Sequence, residues 1–138
     1  MLEVTSQRSE AARRINSAKD LALYQVASGL QWKFSRYQSI FHPRRGMRFT
    51  TQIRSSSRSV CPNVREAWAK RRYEAHFIRK LTDSDGENSE TGSSLDFAQD
   101  CKYISTDQHR ALTSKCAEIG RMLNGMMKKS SSFLLPRD

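Results

Sequence analysis

The chain of 138 residues is short of most features that announce a reaction. It has no apolar run of about 18 residues, which excludes a membrane-spanning helix. Its first residues, MLEVTSQRSEAARR, hold no apolar core of signal-peptide length, so the expected location is cytoplasmic. Cys61, Cys101 and Cys116 are odd in number and form no C-x-x-C pair, which argues against a disulfide framework or a zinc site. Each is read as a small apolar residue on or near a buried face. His42, His76 and His109 show no metal-ligand spacing. There is no Gly-rich phosphate loop, no G-x-S-x-G and no H-E-x-x-H. Catalysis needs a nucleophile, a base and an orienting group that converge, and no such set is visible. The expectation is a non-enzymatic protein without cofactor or metal. Asp83, Asp85, Glu87 and Glu90 fail the calcium-loop spacing and are read as a cluster that needs facing cations.

What the sequence does have is positive charge, unevenly placed. The net charge is +10. Residues 1–80 carry 17 Lys and Arg against 5 Asp and Glu, while residues 81–138 carry 7 against 9. The whole surplus therefore lies in the first part. Such a division suits either a polyanion-binding face or attraction between the halves, within or between subunits.

Apolar spacing predicts helices and no sheet. Leu23, Ala27, Leu30, Phe34, Tyr37 and Phe41 mark a first helix from about Ser17 to His42-Pro43. A second runs from about Arg45 to Arg72, with Ile53, Ser57, Val60, Val64 and Trp68 on one face and a kink expected at Pro62. A third opens with Glu74, Phe77, Ile78 and Leu81. Its middle, TDSDGENSETGSS, has the local composition of a loop. The last begins at Ser105 and Thr106, where Gln108 can close a capping box. Leu112, Cys116, Ile119, Leu123 and Met126 form its seam, and Met122 is also assigned to the core. This divides the chain into an N-terminal tail or short helix (1–16), a helical domain (17–129) and a C-terminal tail (130–138) whose Phe133, Leu134 and Leu135 either dock or stay loose.

Four stretches resemble the small bacterial four-helix-bundle family of 23S rRNA intervening-sequence proteins. They are the opening from Asp20-Leu21 to Tyr24, TQIRSSSRSVCPNVREAWAKRR with Asn63 and Glu66 after its proline, FIRKLTDSDGENSETGSSLDFAQDCKYIS, and EIGRMLNGMMKK. The chain departs from the family pattern at Val60-Cys61 and at Trp68. The resemblance implies an all-α, antiparallel up-down four-helix bundle, with the third helix continuous through its loop-like centre and presenting a small polar face. It also implies a ring-shaped homo-oligomer, usually a pentamer. A related branch, the accessory proteins of diversity-generating retroelements, forms basic pentameric barrels that associate with a reverse transcriptase and with nucleic acid.

The candidate binding residues are Arg54, Arg58, Arg65 and Arg72, expected on one stripe of the second helix, with Lys70 and Arg71 beside them. Arginine keeps its charge and grips phosphate with two parallel donors. Trp68 and Tyr73 are close enough in sequence to stack on bases. The competing reading pairs these arginines with the acidic third helix across a subunit interface. Arg44, Arg45 and Arg48, in the turn between the first two helices, are either a second phosphate contact or a solvated turn. The expected function is an oligomeric module that binds RNA or another nucleic acid with little sequence readout. The alternative is a structural adaptor ring that docks a protein partner such as a reverse transcriptase.

Overall fold

The computed structural model describes residues 15–36 and 47–136, except for the side chains of 47–49. Among the described residues there are four long helices, two short 3-10 turns and no strand: α1 (Ala22–Arg36), α2 (Met47–Ala69), α3 (Glu74–Asp100) and α4 (Thr106–Lys128). Tyr37, Phe41, His42, Pro43, Arg44 and Arg45 from the sequence reading lie outside the described residues, as does the side chain of Arg48.

The entry to α1 is built by Asp20. Its carboxylate accepts the backbone N–H of Asn16 (2.9 Å) and of Ser17 (3.1 Å), so donors ahead of the helix are not left bare. Leu23, Ala27, Leu30 and Phe34 then bury one face, as their spacing predicts. Helix α2 is continuous through Pro62, which lies on its exposed side. There the carbonyl that loses its helical partner can turn to water. The helix stops at Ala69, three residues earlier than expected. Residues 70–73 form a turn, tightened by the Lys70 N–H bonding the carbonyls of both Glu66 and Ala67.

Helix α3 is unbroken across TDSDGENSETGSS. Its buried side is Phe77, Leu81, Ser84, Asn88, Thr91, Ser94, Leu95 and Ala98. Small polar residues occupy the middle of that side, and three of them, Ser84, Asn88 and Thr91, bond to a neighbouring helix. The Ser84 hydroxyl donates to the Val60 carbonyl of α2 at 3.0 Å, and the Asn88 amide donates to the Cys116 carbonyl of α4 at 2.9 Å. Asn88 also sits 3.6 Å from where a Cβ on Gly120 would stand, so that glycine marks the close approach of α4. The glycines of α3 itself, Gly86 and Gly92, face open space. Among the described residues the α2–α3 contact is the most extensive.

The turn from α3 to α4 closes with two backbone bonds, Lys102 N–H to Gln99 (2.8 Å) and Tyr103 N–H to Ala98 (2.8 Å). This is the Schellman arrangement. It places Lys102 at φ 60°, the left-handed region that suits glycine. The capping box of α4 is present: Gln108 N–H to Ser105 Oγ at 3.0 Å, and Ser105 N–H to Gln108 Oε1 at 2.9 Å. The buried residues of α4 are Leu112, Cys116, Ile119, Leu123 and Met126, the full expected seam. After it the chain docks. Phe133 stacks on Phe77 with ring centroids 6.2 Å apart, and the Leu135 N–H bonds the Arg71 carbonyl at 3.2 Å. Cys101 departs from its expected burial. It caps the exposed end of α3, whereas Cys61 and Cys116 are buried.

Candidate nucleic-acid interface

Arg54, Arg58 and Arg65 are four and seven residues apart, so they fall within about 60° of one another around α2. Arg58 and Arg65 are exposed and Arg54 is half-buried. The stripe borders α1: the Arg65 guanidinium stands 5.9 Å from the ring of Tyr24, and the Cys61 thiol lies 3.8 Å from the Tyr24 carbonyl. None of the three arginines forms an ion pair among the described residues. The Nε and Nη2 of Arg54 are covered by the protein and have no hydrogen-bond acceptor there. A covered guanidinium without a partner is costly.

Helix α1 carries an exposed aromatic that sequence reasoning missed. Trp32 is 64% exposed, and the Arg36 guanidinium lies 5.9 Å from its ring. The available signal was a Trp–Arg pair four residues apart, off the apolar seam, a spacing that brings side chains together on a helix.

The other expected residues are distributed elsewhere. Because α2 ends at Ala69, Arg72 does not continue the stripe; it sits exposed in the turn with Lys70 and Arg71. Arg71 folds back over Trp68, 4.0 Å from the ring, with its Nη1 donating to the Trp68 carbonyl at 3.0 Å. Trp68 is half-buried and one of its faces is taken, which removes it as a platform for bases. Tyr73 does stand out, 61% exposed, with its ring tilted against His76 at 5.7 Å.

Glu66 and Arg65 are consecutive, so they point about 100° apart. Glu66 faces α3, where it meets Lys80 at 2.9 Å; Asp83 meets the same lysine at 3.6 Å. The Lys80 hydrogen bond, with its charge, holds the Glu66 carboxyl below its ordinary range, and the same bond raises Lys80. Between these helices Lys70, His76, Arg79, Lys80 and Asp83 line an open cleft of about 260 Å³. Further along α3, burial, reinforced by Glu90 and Asp83, pushes the Glu87 carboxyl up. Asp96 takes His109 of α4 instead, Oδ1 to Nε2 at 2.7 Å. Among the described residues no three His, Cys, Asp or Glu side chains converge as metal ligands, and no helix is long and apolar enough to cross a membrane.

Comparison with curated proteins gives no match. Among solved structures, the chain is similar to a protein of unknown function from the S23 ribosomal protein family of Bacteroides thetaiotaomicron. The two share 23% identity and a TM-score of 0.71, over 77% of this chain and 95% of that one. At that identity the likeness speaks to the fold. The family model of the 23S rRNA-intervening sequence protein matches residues 19–125, from the Asp20 entry of α1 to the last turn of α4. The chain thus belongs to the 23S rRNA-intervening sequence protein family.

Proposed function

We propose that this protein is a non-enzymatic binding module that engages RNA, or another nucleic acid, through the arginine side of α2, largely without reading sequence. The observation that carries this is the pair Arg58 and Arg65: both are exposed, on one side of one helix, and without a carboxylate partner among the described residues. Its mechanism is release of counterions from the phosphate backbone, with arginines as bidentate donors. The family's description, which ties it to an insertion in 23S rRNA, favours RNA. In this reading the bundle is antiparallel, α2 bends at Pro62, and copies close into a cytoplasmic ring, a pentamer by family resemblance. One stripe per subunit then becomes a continuous basic surface.

The test is Arg58→Gln with Arg65→Gln, assayed for binding to structured RNA and for assembly by size-exclusion chromatography with light scattering. Weakened binding in an intact assembly supports the proposal. Losing two phosphate contacts should also reduce the slope of log Kd against log salt by about 1.4–1.8. Normal RNA binding by the double variant would remove the stripe as the site.

Arg54 favours a second reading. Its covered, unpartnered nitrogens suit a stripe completed by another protein chain. Here the protein is an adaptor ring that docks a protein partner, such as a reverse transcriptase, and the arginines serve subunit contacts. The same double variant should then fall into smaller species.

A further inference from the structure

We propose that the cleft at the α2–α3 corner is a second binding site, for a single ribonucleotide phosphate, separate from the arginine stripe. Its charges are not equivalent. The Lys80 ammonium is occupied by Glu66 (2.9 Å) and Asp83 (3.6 Å). Lys70 and Arg79 line the same cleft and form no ion pair among the described residues. Two cations outside any ion pair, one just past the end of α2 and one in the second turn of α3, with the His76 ring between them in sequence, offer donors to one tetrahedral anion from several directions.

Size and neighbours narrow the ligand. The volume of about 260 Å³ lies just under the range of about 300–1,000 Å³ that encloses a drug-sized molecule. It suits a phosphate and its sugar, with the base left outside. Tyr73 is the aromatic next to the cleft: its ring is 61% exposed and lies 5.7 Å from the ring of His76, a lining residue. Exposed tyrosine is a stacking surface for any base. Asp83, also in the lining, accepts hydrogen bonds and repels phosphate oxygens. A ribose hydroxyl answers it by donating. The cleft therefore distinguishes a nucleotide from bare phosphate.

The site does not depend on the stripe, because Arg65 and Glu66 direct the two surfaces to different sides of α2. The experiment is calorimetric titration of the full chain with adenosine 5′-monophosphate and, separately, with inorganic phosphate. The nucleotide should bind at least tenfold more tightly. Lys70→Gln with Arg79→Gln should weaken it tenfold or more, since each removes a charged hydrogen bond. Tyr73→Ala should reduce the advantage of nucleotide over phosphate and leave phosphate affinity in place. Arg58→Gln with Arg65→Gln should leave nucleotide binding unchanged, whatever it does to RNA. No nucleotide binding at millimolar concentration, equal affinity for both ligands, or full binding by the Lys70/Arg79 variant would each overturn the proposal.

Discussion

The hydroxyls of Ser56 and Thr91 meet at 2.7 Å in the buried seam between α2 and α3. Each also reaches a carbonyl of its own helix, Gln52 at 2.9 Å and Glu87 at 3.0 Å. Ser56 also lies 3.3 Å from the Ile53 carbonyl, so two hydroxyl protons face four acceptors; one hydroxyl bonds across the helices and the other bonds within its own helix. Thr91→Val keeps the shape and removes the cross-helix bond. It should cost about 1 kcal/mol, read as a lower midpoint in chemical denaturation. Combined with Ser56→Ala the loss should be smaller than the sum of the two single losses, which a double-mutant cycle measures.

Lys102 pays a local conformational penalty for the turn into α4. At φ 60° its Cβ crowds the backbone, a strain glycine does not feel. Lys102→Gly should stabilise the protein by about 0.5–1 kcal/mol, seen as a raised Tm, because the two Schellman bonds stay in place. A lower Tm would show that the side chain makes up for the strain elsewhere.

Glu87 works against the fold at neutral pH. Its pKa is raised above the unfolded value by burial and by Glu90 and Asp83. The folded state therefore penalises the charged form, and the penalty is felt above the carboxylate range and relieved as pH falls through the raised pKa. Glu87→Gln should stabilise the protein by a few tenths of a kcal/mol at pH 7, the usual scale of like-charge pairs on a helix. At pH 3 the advantage should be gone. Denaturation curves of both proteins at the two pH values check this.

The three thiols should separate by reactivity. Burial pushes Cys61 and Cys116 up to about 11 each, so at pH 8 both are protonated as well as covered. Arg65 partly offsets the rise at Cys61, and Asp96 adds to it at Cys116. Cys101 is exposed. A thiol reagent should modify one cysteine per native chain quickly and all three after unfolding, with the fast site identified by peptide mass. Fast modification of Cys61 or Cys116 in the native protein would contradict the burial described.

Much of the fold was legible because particular residues state it locally. Ser105 and Gln108 announce α4, and the step from Leu112 to Met126 names its buried face. The centre of α3 was not legible that way. Ser84, Asn88, Thr91 and Ser94 are loop residues by propensity, and they become helical where they are buried, with α2 and α4 supplying partners for the first three. Only the family resemblance pointed there. The arginine stripe was legible as far as Arg65. Its end was not, since no glycine or proline marks the stop at Ala69, and so Arg72 was assigned to a helix it does not join. The α2–α3 cleft was out of reach because Lys70 and Arg79 converge only when the turn is built. Trp32 lies off the apolar seam, so no periodic signal marks it.

The contrast between α3 and α4 also has a temporal side. Helix α4 has its own start signal, its own dipole-matched lysine at the end and an uninterrupted seam. Helix α3, four residues longer, carries two glycines that touch nothing and a buried centre where Ser84, Asn88 and Thr91 bond to other helices. On the pathway from the unfolded chain, α4 can gather early, whereas the middle of α3 has no reason to stay helical until α2 and α4 flank it. The longest rod of the bundle is then a late arrival, and substitutions at Ser84 or Thr91 should change how fast the protein unfolds far more than how fast it folds.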